Sequence, residues 1–327
     1  MDKPMIYITR SIPRSIIEPY EDRFHFRMWA KADTPVPIDV LLTESKQADG
    51  IICMLTENLD GHFIQRNSHL KIIANNAVGY DNIDIDAAEK QQIIVTNTPD
   101  VLTHTTADLT FALLMVTARR IIEAHQVIQN DEWKYWSPYF LAGTDIHHRT
   151  VGIVGMGRIG EAVAQRAKGF DMKILYHNRS RDYEKEQSLQ AEYVHFDELL
   201  RRSDFVVSLV PLTAETNRLF DHHAFRQMKS SAIFINASRG QVVDEDALFR
   251  ALKEKEIRAA GLDVFAEEPI RSDHPLMTLD NVVCLPHIGS ASIEMRTNML
   301  KLCLENIDGY FYGAGPKTAV TKKNDEQ

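Results

Sequence analysis

An arginine, a glutamate and a histidine follow three successive apolar runs in the second half of the chain. Arg239 comes after the run AIFIN, Glu268 after AAGLDVF and His287 after NVVCL. Ligands of parallel α/β sheets bind beyond the carboxyl ends of the strands, so the three should meet at one edge. Arg239 could clamp a carboxylate and polarise a carbonyl, while His287 delivers a proton and Glu268 holds the imidazole. Singly, each residue has an ordinary structural explanation; together they favour a site for carbonyl reduction.

A glycine-rich turn precedes these residues in the stretch VGIVGMGRIG, which ends at Gly160. Its spacing is G-x-G-x-x-G, between an apolar run and the amphipathic stretch EAVAQRAKGF. The first glycine would allow a tight turn, the second a close approach of a pyrophosphate, and the third close packing of helix on strand. Phosphates would then meet a helix N-terminus. The predicted dinucleotide contacts are Gly155, Gly157, Arg158, Ile159 and Gly160.

The next apolar run ends in the residues that would face the adenosine ribose. Asn178 is uncharged there and is followed by Arg179, Ser180 and Arg181. An acid at this position would repel a 2′-phosphate, whereas two guanidinium groups and a hydroxyl could hold one. These residues favour NADP(H) over NAD(H), with NAD(H) still possible. The alternative is that the arginines only solvate a loop, which the nearby Asp182 leaves open.

Apolar, β-branched runs alternate with helical or polar stretches along the 327 residues, a pattern typical of parallel α/β sheets. A first series contains MIYIT, GIICML, LKIIA and QIIVT. A second series predicts a six-stranded Rossmann sheet from the runs at 150–155, 172–176, 204–210, 232–236, 259–264 and 281–285. One or two helices after Asp100 should bridge the two series. A last helix should begin near Ser292, and the tail 321–327 is predicted to be disordered.

Composition excludes several classes of function. The net charge of −9 argues against a nucleic-acid-binding surface, which needs clustered Lys and Arg. Three widely separated cysteines, Cys53, Cys284 and Cys303, suggest neither a disulfide framework nor a zinc site. The apolar runs are too short for a secretory or membrane-spanning segment. We therefore expect a soluble, cytoplasmic protein that binds neither membranes nor a metal.

The motifs NASRGQVVDEDAL, GLDVFAEEP and LDNVVCLPHIGSAS, with VGIVGMGRIGEAVA upstream, resemble those of the D-isomer-specific 2-hydroxyacid dehydrogenases over nearly the whole chain. The resemblance implies that Arg239 binds the substrate carboxylate, Glu268 partners the histidine and His287 is the general acid/base. The formate dehydrogenase branch is disfavoured because it carries Gln in place of Glu268. Further implied cofactor-pocket positions are Pro211, Thr216, Ala237, Asp263 and Gly289.

The resemblance also implies the domain organisation, with two Rossmann-like or flavodoxin-like parallel-sheet domains. Residues 1–100 and 289–327 would form a discontinuous substrate-binding domain, into which the dinucleotide-binding domain, 101–288, is inserted. In the loop NNAVGYDNID, the backbone N–H groups of Val78 and Gly79 would bind the substrate carboxylate. Leu55 matches another pocket position.

Within the family, the chain is most similar to glyoxylate/hydroxypyruvate reductases and to 2-ketogluconate reductases. This predicts NADPH-dependent reduction of a small 2-ketoacid, namely glyoxylate, hydroxypyruvate or 2-ketogluconate, to the D-2-hydroxyacid. An NAD-dependent dehydrogenase of other substrate range is one alternative. A dinucleotide-sensing protein similar to transcriptional co-repressors is another, disfavoured because the chain has only a brief polar tail.

An aromatic-rich segment, DEWKYWSPYFLAGTDIHH, precedes the predicted first strand of the dinucleotide domain. Exposed aromatic residues often mark contact surfaces. The resemblance implies a homodimer with such an arm at its interface, in which Trp136 reaches toward the partner's substrate channel. Local packing of Trp133, Trp136 and Tyr139 is the alternative.

Overall fold

The chain divides into two compact units in the computed structural model, which describes residues 2–320. The first unit contains the residues up to Leu102 and those from Ser292 onward, and the second is Thr103–Ala291. The tail predicted to be disordered, 321–327, lies outside the described residues. The functions predicted for the two domains stay predictions.

The first unit is built on a parallel sheet whose strand order is β2-β1-β3-β4-β5. The strands are β1 Met5–Ile8, β2 His25–Met28, β3 Gly50–Cys53, β4 Ile72–Asn75 and β5 Ile94–Thr96. This is the flavodoxin-like 2-1-3-4-5 order. The apolar runs do not predict β2, because its sequence HFRM alternates polar and apolar side chains at a half-exposed edge.

The second unit contains a parallel sheet with the order β12-β11-β10-β9-β6-β7-β8, the Rossmann order with one further strand. Its strands are β6 Thr150–Val154, β7 Lys173–His177, β8 Ala191–Tyr193, β9 Phe205–Ser208, β10 Ile233–Asn236, β11 Ala259–Leu262 and β12 Val282–Cys284. The prediction of six strands missed the short edge strand β8, because its sequence AEY has a charged residue at the centre and forms no apolar run. The predicted class of two parallel-sheet α/β domains is confirmed.

Helices connect the strands of both sheets. In chain order they are α1 Arg14–Ile17, α2 Ile38–Ser45, α3 Gly61–Arg66, α4 Ile85–Lys90, α5 Thr103–Ala118, α6 Ile121–Gln129, α7 Arg158–Lys168, α8 Tyr183–Leu189, α9 Phe196–Arg202, α10 His222–Gln227, α11 Glu245–Lys253 and α12 Ile293–Tyr312. Helix α12 belongs to the first unit and α5–α11 belong to the second. Among the described residues, no helix is both long and apolar enough to cross a membrane.

Both faces of the second sheet are covered, as parallel sheets require. Ile153 and Ile235 face a cluster completed by α5 and α7, whereas Val206 and Phe234 face one completed by α9, α10 and α11. The sheet is therefore a rigid platform, and side chains that leave its strand ends start from fixed positions.

The carboxyl ends of five strands in this sheet form one row. Val154 pairs with Ser208, Ser208 with Asn236, Asn236 with Leu262, and Leu262 with Cys284. Because the strands are in register, the residues that follow them emerge along a single edge. The glycine turn and the three predicted catalytic side chains all follow strands of this row.

Candidate active site

The glycine turn has the geometry that its spacing predicts. Gly155 adopts a φ of +102°, which side-chain-bearing residues rarely reach, and a Cβ on Gly160 would lie 2.2 Å from the Gly155 carbonyl oxygen. Around Gly157, by contrast, a Cβ would meet no atom within 4 Å. The turn is thus closed on the protein side and open at Gly157, where a phosphate could approach the backbone.

Helix α7 begins directly after Gly157, so the N–H groups of its first turn point toward this open space. Together with the helix dipole they suit the binding of an anion. The N–H of Met156 is already used, because it donates to Oδ1 of Asn178 at 2.7 Å. The residues present fit the pyrophosphate of a dinucleotide.

The predicted ribose loop follows β7 at the neighbouring strand end. Arg179 and Ser180 are exposed, whereas Arg181 donates from Nε and Nη2 to the two carboxylate oxygens of Glu186, each at 2.7 Å. The hydroxyl of Tyr176 donates to the same carboxylate at 2.9 Å. The hydrogen bond from Arg181 lowers the pKa of Glu186. One of the two predicted phosphate-binding guanidinium groups is therefore already held by an internal carboxylate.

Glu268 and His287 are in direct contact, with Oε2 of the carboxylate 2.7 Å from Nδ1 of the imidazole. The second carboxylate oxygen accepts from the N–H of Phe265 at 3.0 Å. Burial by itself raises the pKa of Glu268, but the hydrogen bond and charge of His287, followed by Phe265 and Arg239, hold that pKa below its ordinary value. The carboxylate is thus kept ionised beside the imidazole, and Nε2 is the ring nitrogen left to face a ligand.

Arg239 lies in a tight turn after β10, which is shaped by Asn236. The amide of this buried residue donates to the Arg239 carbonyl at 2.9 Å, and its oxygen accepts from the N–H and hydroxyl of Ser238 at 3.1 and 2.8 Å. Asn and Ser commonly form such side-chain turns. The motif N-A-S-R-G therefore carried a signal for Asn236 that the sequence analysis did not use.

The turn of Arg239 and the loop of Glu268 are fastened together. A Cβ on Gly240 would lie 1.8 Å from the Phe265 carbonyl carbon, so the two backbones touch. The neighbouring Ala266 is held at both ends, because its N–H donates to Glu245 at 2.8 Å and its carbonyl accepts from Gln241 at 3.0 Å. Gln241 and Glu245 are positioning residues that the sequence analysis did not identify.

The backbone of His287 has a φ of +51°, a left-handed conformation that is unfavourable for a non-glycine residue. Asp263 stabilises it from the end of β11. Its carbonyl accepts from the His287 N–H at 2.9 Å, and its carboxylate oxygens accept from the N–H groups of Ile288 and Gly289, both at 2.8 Å. Burial raises the pKa of Asp263 by more than these N–H groups lower it. In this structure, Asp263 thus binds the loop of His287 with both carboxylate oxygens.

The other predicted cofactor positions lie in the same unit. Thr216 donates its hydroxyl to the Pro211 carbonyl at 2.6 Å, which shapes the loop after β9. Ala237 follows β10 directly, and Gly289 is buried against the Asp263 carboxylate. These four residues accordingly occupy strand exits and loops of the second unit.

The predicted substrate residues Leu55, Val78 and Gly79 belong to the first unit. Leu55 follows β3 and is 38% exposed, while Val78 and Gly79 are half-buried in the loop after β4. Asn97 donates to the Val78 carbonyl at 2.8 Å and Asn75 to the Gly79 carbonyl at 2.9 Å. The carbonyls of this loop are therefore occupied by protein donors.

Comparison with known proteins agrees with this geometry. Residues 111–289 match the NAD binding domain of the D-isomer specific 2-hydroxyacid dehydrogenases. The chain is 47% identical to a glyoxylate reductase from Pyrococcus horikoshii, covering 98% of this chain and 97% of the relative.

Two solved structures extend the comparison. A protein from Thermus thermophilus matches with a TM-score of 0.91 and 38% identity, over 97% of this chain and 100% of the other. An NADPH-dependent glyoxylate/hydroxypyruvate reductase from Sinorhizobium meliloti, in complex with NADP and malonate, matches with a TM-score of 0.84 and 32% identity. The match covers 98% of this chain and 97% of the other. The resemblance derived from the sequence motifs is thereby confirmed. The protein is an oxidoreductase that belongs to the D-isomer specific 2-hydroxyacid dehydrogenase family.

Proposed function

We propose that the protein reduces a small 2-ketoacid, namely glyoxylate, hydroxypyruvate or 2-ketogluconate, to the D-2-hydroxyacid. The contact of 2.7 Å between His287 and Glu268 carries this proposal, because it joins a proton donor to a carboxylate at the edge that holds the dinucleotide turn. The nicotinamide supplies a hydride to the carbonyl carbon when the cofactor is bound. His287 supplies the proton to the carbonyl oxygen, so the product is a hydroxyl group.

The proton transfer follows from the roles of the two imidazole nitrogens. Because Nδ1 faces Glu268, Nε2 delivers the proton, and the carboxylate stabilises the charged ring before transfer. In the reverse direction, neutral His287 accepts the proton from the hydroxyacid. Reduction and oxidation therefore have opposite requirements for the charge of this ring.

Arg239 is proposed to bind the substrate carboxylate through its planar guanidinium and to polarise the adjacent carbonyl. In the first unit, the N–H groups of Val78 and Gly79 are proposed to bind a substrate carboxylate, with Leu55 as a further substrate contact. The fixed carbonyls of Val78 and Gly79 support this role, because they hold the backbone of the loop in one conformation.

We also propose that NADPH is preferred over NADH. The uncharged Asn178 and the exposed Arg179 and Ser180 support this, since the residue directly after β7 is not an acid that would repel a 2′-phosphate. Asn178→Asp combined with removal of the Arg179 side chain should shift preference toward NADH. The Asp would still accept from Met156, so the turn would be preserved. Higher catalytic efficiency with NADH in the unmodified enzyme would refute the proposal.

We further propose a homodimer formed through residues 131–148, which contain no helix or strand. Trp133, Trp136 and Tyr139 are 58%, 76% and 88% exposed in the single chain, far more than local packing would leave. In this dimer, Trp136 would approach the partner's substrate channel. Light scattering should give about twice the 37.3 kDa of one chain, and a monomer at micromolar concentration would contradict the dimer. Cytoplasmic location stays a prediction.

The function is tested by following oxidation of NADPH and of NADH with a panel of 2-ketoacids. We expect turnover with at least one of glyoxylate, hydroxypyruvate and 2-ketogluconate, and a D-configured product where the product is chiral. Arg239→Ala should damage both KM and kcat, because it removes carboxylate binding and carbonyl polarisation together. Absence of turnover with all three acids would contradict the proposal.

A further inference from the structure

A buried ion pair lies at the carboxyl edge of the first unit's sheet. Arg10 and Glu57 are only 8% and 4% exposed, and Nη1 of the arginine is 2.8 Å from Oε1 of the glutamate. Arg10 follows β1 and Glu57 follows β3, so the pair joins two neighbouring strand exits. The dehydrogenase reaction proposed above gives neither residue a role.

The carboxylate of Glu57 accepts hydrogen bonds from four groups of the protein. Oε1 accepts from Arg10 and, at 2.9 Å, from the hydroxyl of Thr56, while Oε2 accepts from the hydroxyl of Thr9 at 2.6 Å and the N–H of Met54 at 2.7 Å. The guanidinium is also engaged, by the Thr9 carbonyl and the Thr56 hydroxyl, both at 2.7 Å. Only an ionised carboxylate satisfies all these donors, because a glutamine would turn its own N–H group toward Arg10 or toward Met54.

The pair fixes the loop that contains Leu55. Glu57 holds this loop at its start through the N–H of Met54, and Arg10 holds Thr56. Leu55 therefore lies between two anchored residues. It is exposed even though the residues on either side are bound to a buried network.

Asn82 extends this network to the second predicted substrate loop. Its amide donates to the carbonyls of Met54 at 3.2 Å and Glu57 at 3.1 Å, and its oxygen accepts from Asn75 at 3.3 Å. Asn75 also donates to the Gly79 carbonyl. Two loops that are far apart in sequence are thus joined by one continuous set of hydrogen bonds.

Stability alone does not explain such a pair. Desolvation of two charges commonly cancels their attraction, so apolar replacements of similar volume are often neutral or stabilising. What a hydrophobic pair could not supply is directional contacts to four donors at once. The saturated geometry therefore points to accurate placement of the loops.

We propose that Arg10 and Glu57 are positioning residues for substrate recognition, which hold the loops of Leu55 and of Val78 and Gly79 in the geometry that accepts a 2-ketoacid carboxylate. This inference rests on the proposed function. The pair acts through these loops and does not touch the substrate.

The test measures KM and kcat for glyoxylate, Ki for oxalate as an unreactive two-carbon carboxylate, and Kd for NADPH. Glu57→Gln should raise KM and Ki together by about tenfold, which corresponds to about 1.4 kcal/mol of lost binding free energy. The Kd for NADPH should stay unchanged, because the residues of the dinucleotide turn belong to the other unit. A variant with both Arg10→Met and Glu57→Met leaves no unpaired buried charge, so it should fold and show the same rise.

A matched control is available at the opposite edge of the same sheet. Asp49 precedes β3, accepts from the Met5 N–H at 2.9 Å and pairs with Lys71 at 3.0 Å. Asp49→Asn should leave KM and Ki as they are. If the Glu57→Gln variant and the double variant fold and keep a KM for glyoxylate within about twofold of that of the unmodified enzyme, the positioning role is overturned. Failure of the unmodified enzyme to reduce any of the three ketoacids would instead refute the proposed function, and this inference with it.

Discussion

Each sheet of the protein carries a basic side chain paired with a carboxylate at its carboxyl edge, and the two pairs are built differently. In the first unit, the side chains of Arg10 and Glu57 are 10% and 3% exposed. In the second unit, those of His287 and Glu268 are 25% and 29% exposed, and a ring nitrogen of His287 is left to face a ligand.

The difference separates two uses of similar chemistry. A buried pair whose carboxylate accepts from four donors can hold backbone in place, but it offers little to a ligand. A half-exposed pair that contains an imidazole can exchange a proton with a ligand, and the carboxylate partner stabilises the ring when it carries the proton. Both pairs thus lie at strand exits. Their exposure and their unused hydrogen-bonding groups decide whether a pair holds backbone in place or takes part in proton transfer.

The largest effect should follow from removing the imidazole. His287→Asn tolerates the left-handed backbone at this position and lacks a proton donor, so kcat for ketoacid reduction should fall by about 10²–10⁴-fold. NADPH affinity should be retained. Steady-state kinetics of His287→Asn and of the Glu57 variants should differ. The His287 variant should lose kcat, whereas the Glu57 variants should show a raised KM. Near-normal reduction by His287→Asn or His287→Ala would refute the assignment of His287 as proton donor.

A smaller effect is expected on the pH dependence when Glu268 is neutralised. Reduction requires the charged imidazole and should fall as pH rises, whereas hydroxyacid oxidation should rise. Glu268→Gln removes the stabilising charge, so the fall in reduction rate should move to lower pH. The exposed neighbour Glu267 provides the control, since Glu267→Gln should leave both pH profiles in place. Identical profiles for the Glu268 variant would contradict the role of this carboxylate.

The same carboxylate has a defined effect on stability. Its pKa in the folded protein lies below the ordinary value of 4.5, so ionised Glu268 contributes to the free energy of unfolding above that pH. The contribution is lost as pH falls through the lowered pKa. The difference in Tm between the unmodified enzyme and Glu268→Gln should therefore shrink on acidification below about pH 4.5. A difference that grows there would contradict the sign of the shift.

The smallest effect concerns the internal carboxylate at the ribose loop. Glu186→Gln would release the Arg181 guanidinium for a 2′-phosphate. Because the Arg181 side chain is 47% exposed, solvent screens its ion pair, so the KM for NADPH should fall by only up to about fivefold, while the KM for NADH stays constant. Glu184→Gln, an exposed change in the same helix, serves as the control. Equal changes with both cofactors would show that Glu186 does not regulate phosphate binding.

Local features of the sequence predicted much of this molecule. The glycine spacing predicts the turn at Gly155 because only glycine easily reaches a φ of +102°. Apolar runs predict the central strands because both faces of a parallel sheet are buried. The edge strands β2 and β8 escaped prediction because their sequences, HFRM and AEY, contain charged or polar side chains and form no apolar run.

The sequence by itself determined the two-sheet architecture, the dinucleotide turn and the residue types at the strand exits, since each depends on short-range spacing and polarity. The tertiary structure decided which polar groups meet. Arg10 and Glu57 are 47 residues apart and Asp263 is 25 residues from Ile288, so neither contact has a local signal. Chain folding brings such groups together at strand ends, and burial then favours the pairing of donors with acceptors. No short motif encodes this pairing. It distinguishes the Arg10–Glu57 pair, which holds backbone, from the His287–Glu268 pair, which is proposed to do the chemistry.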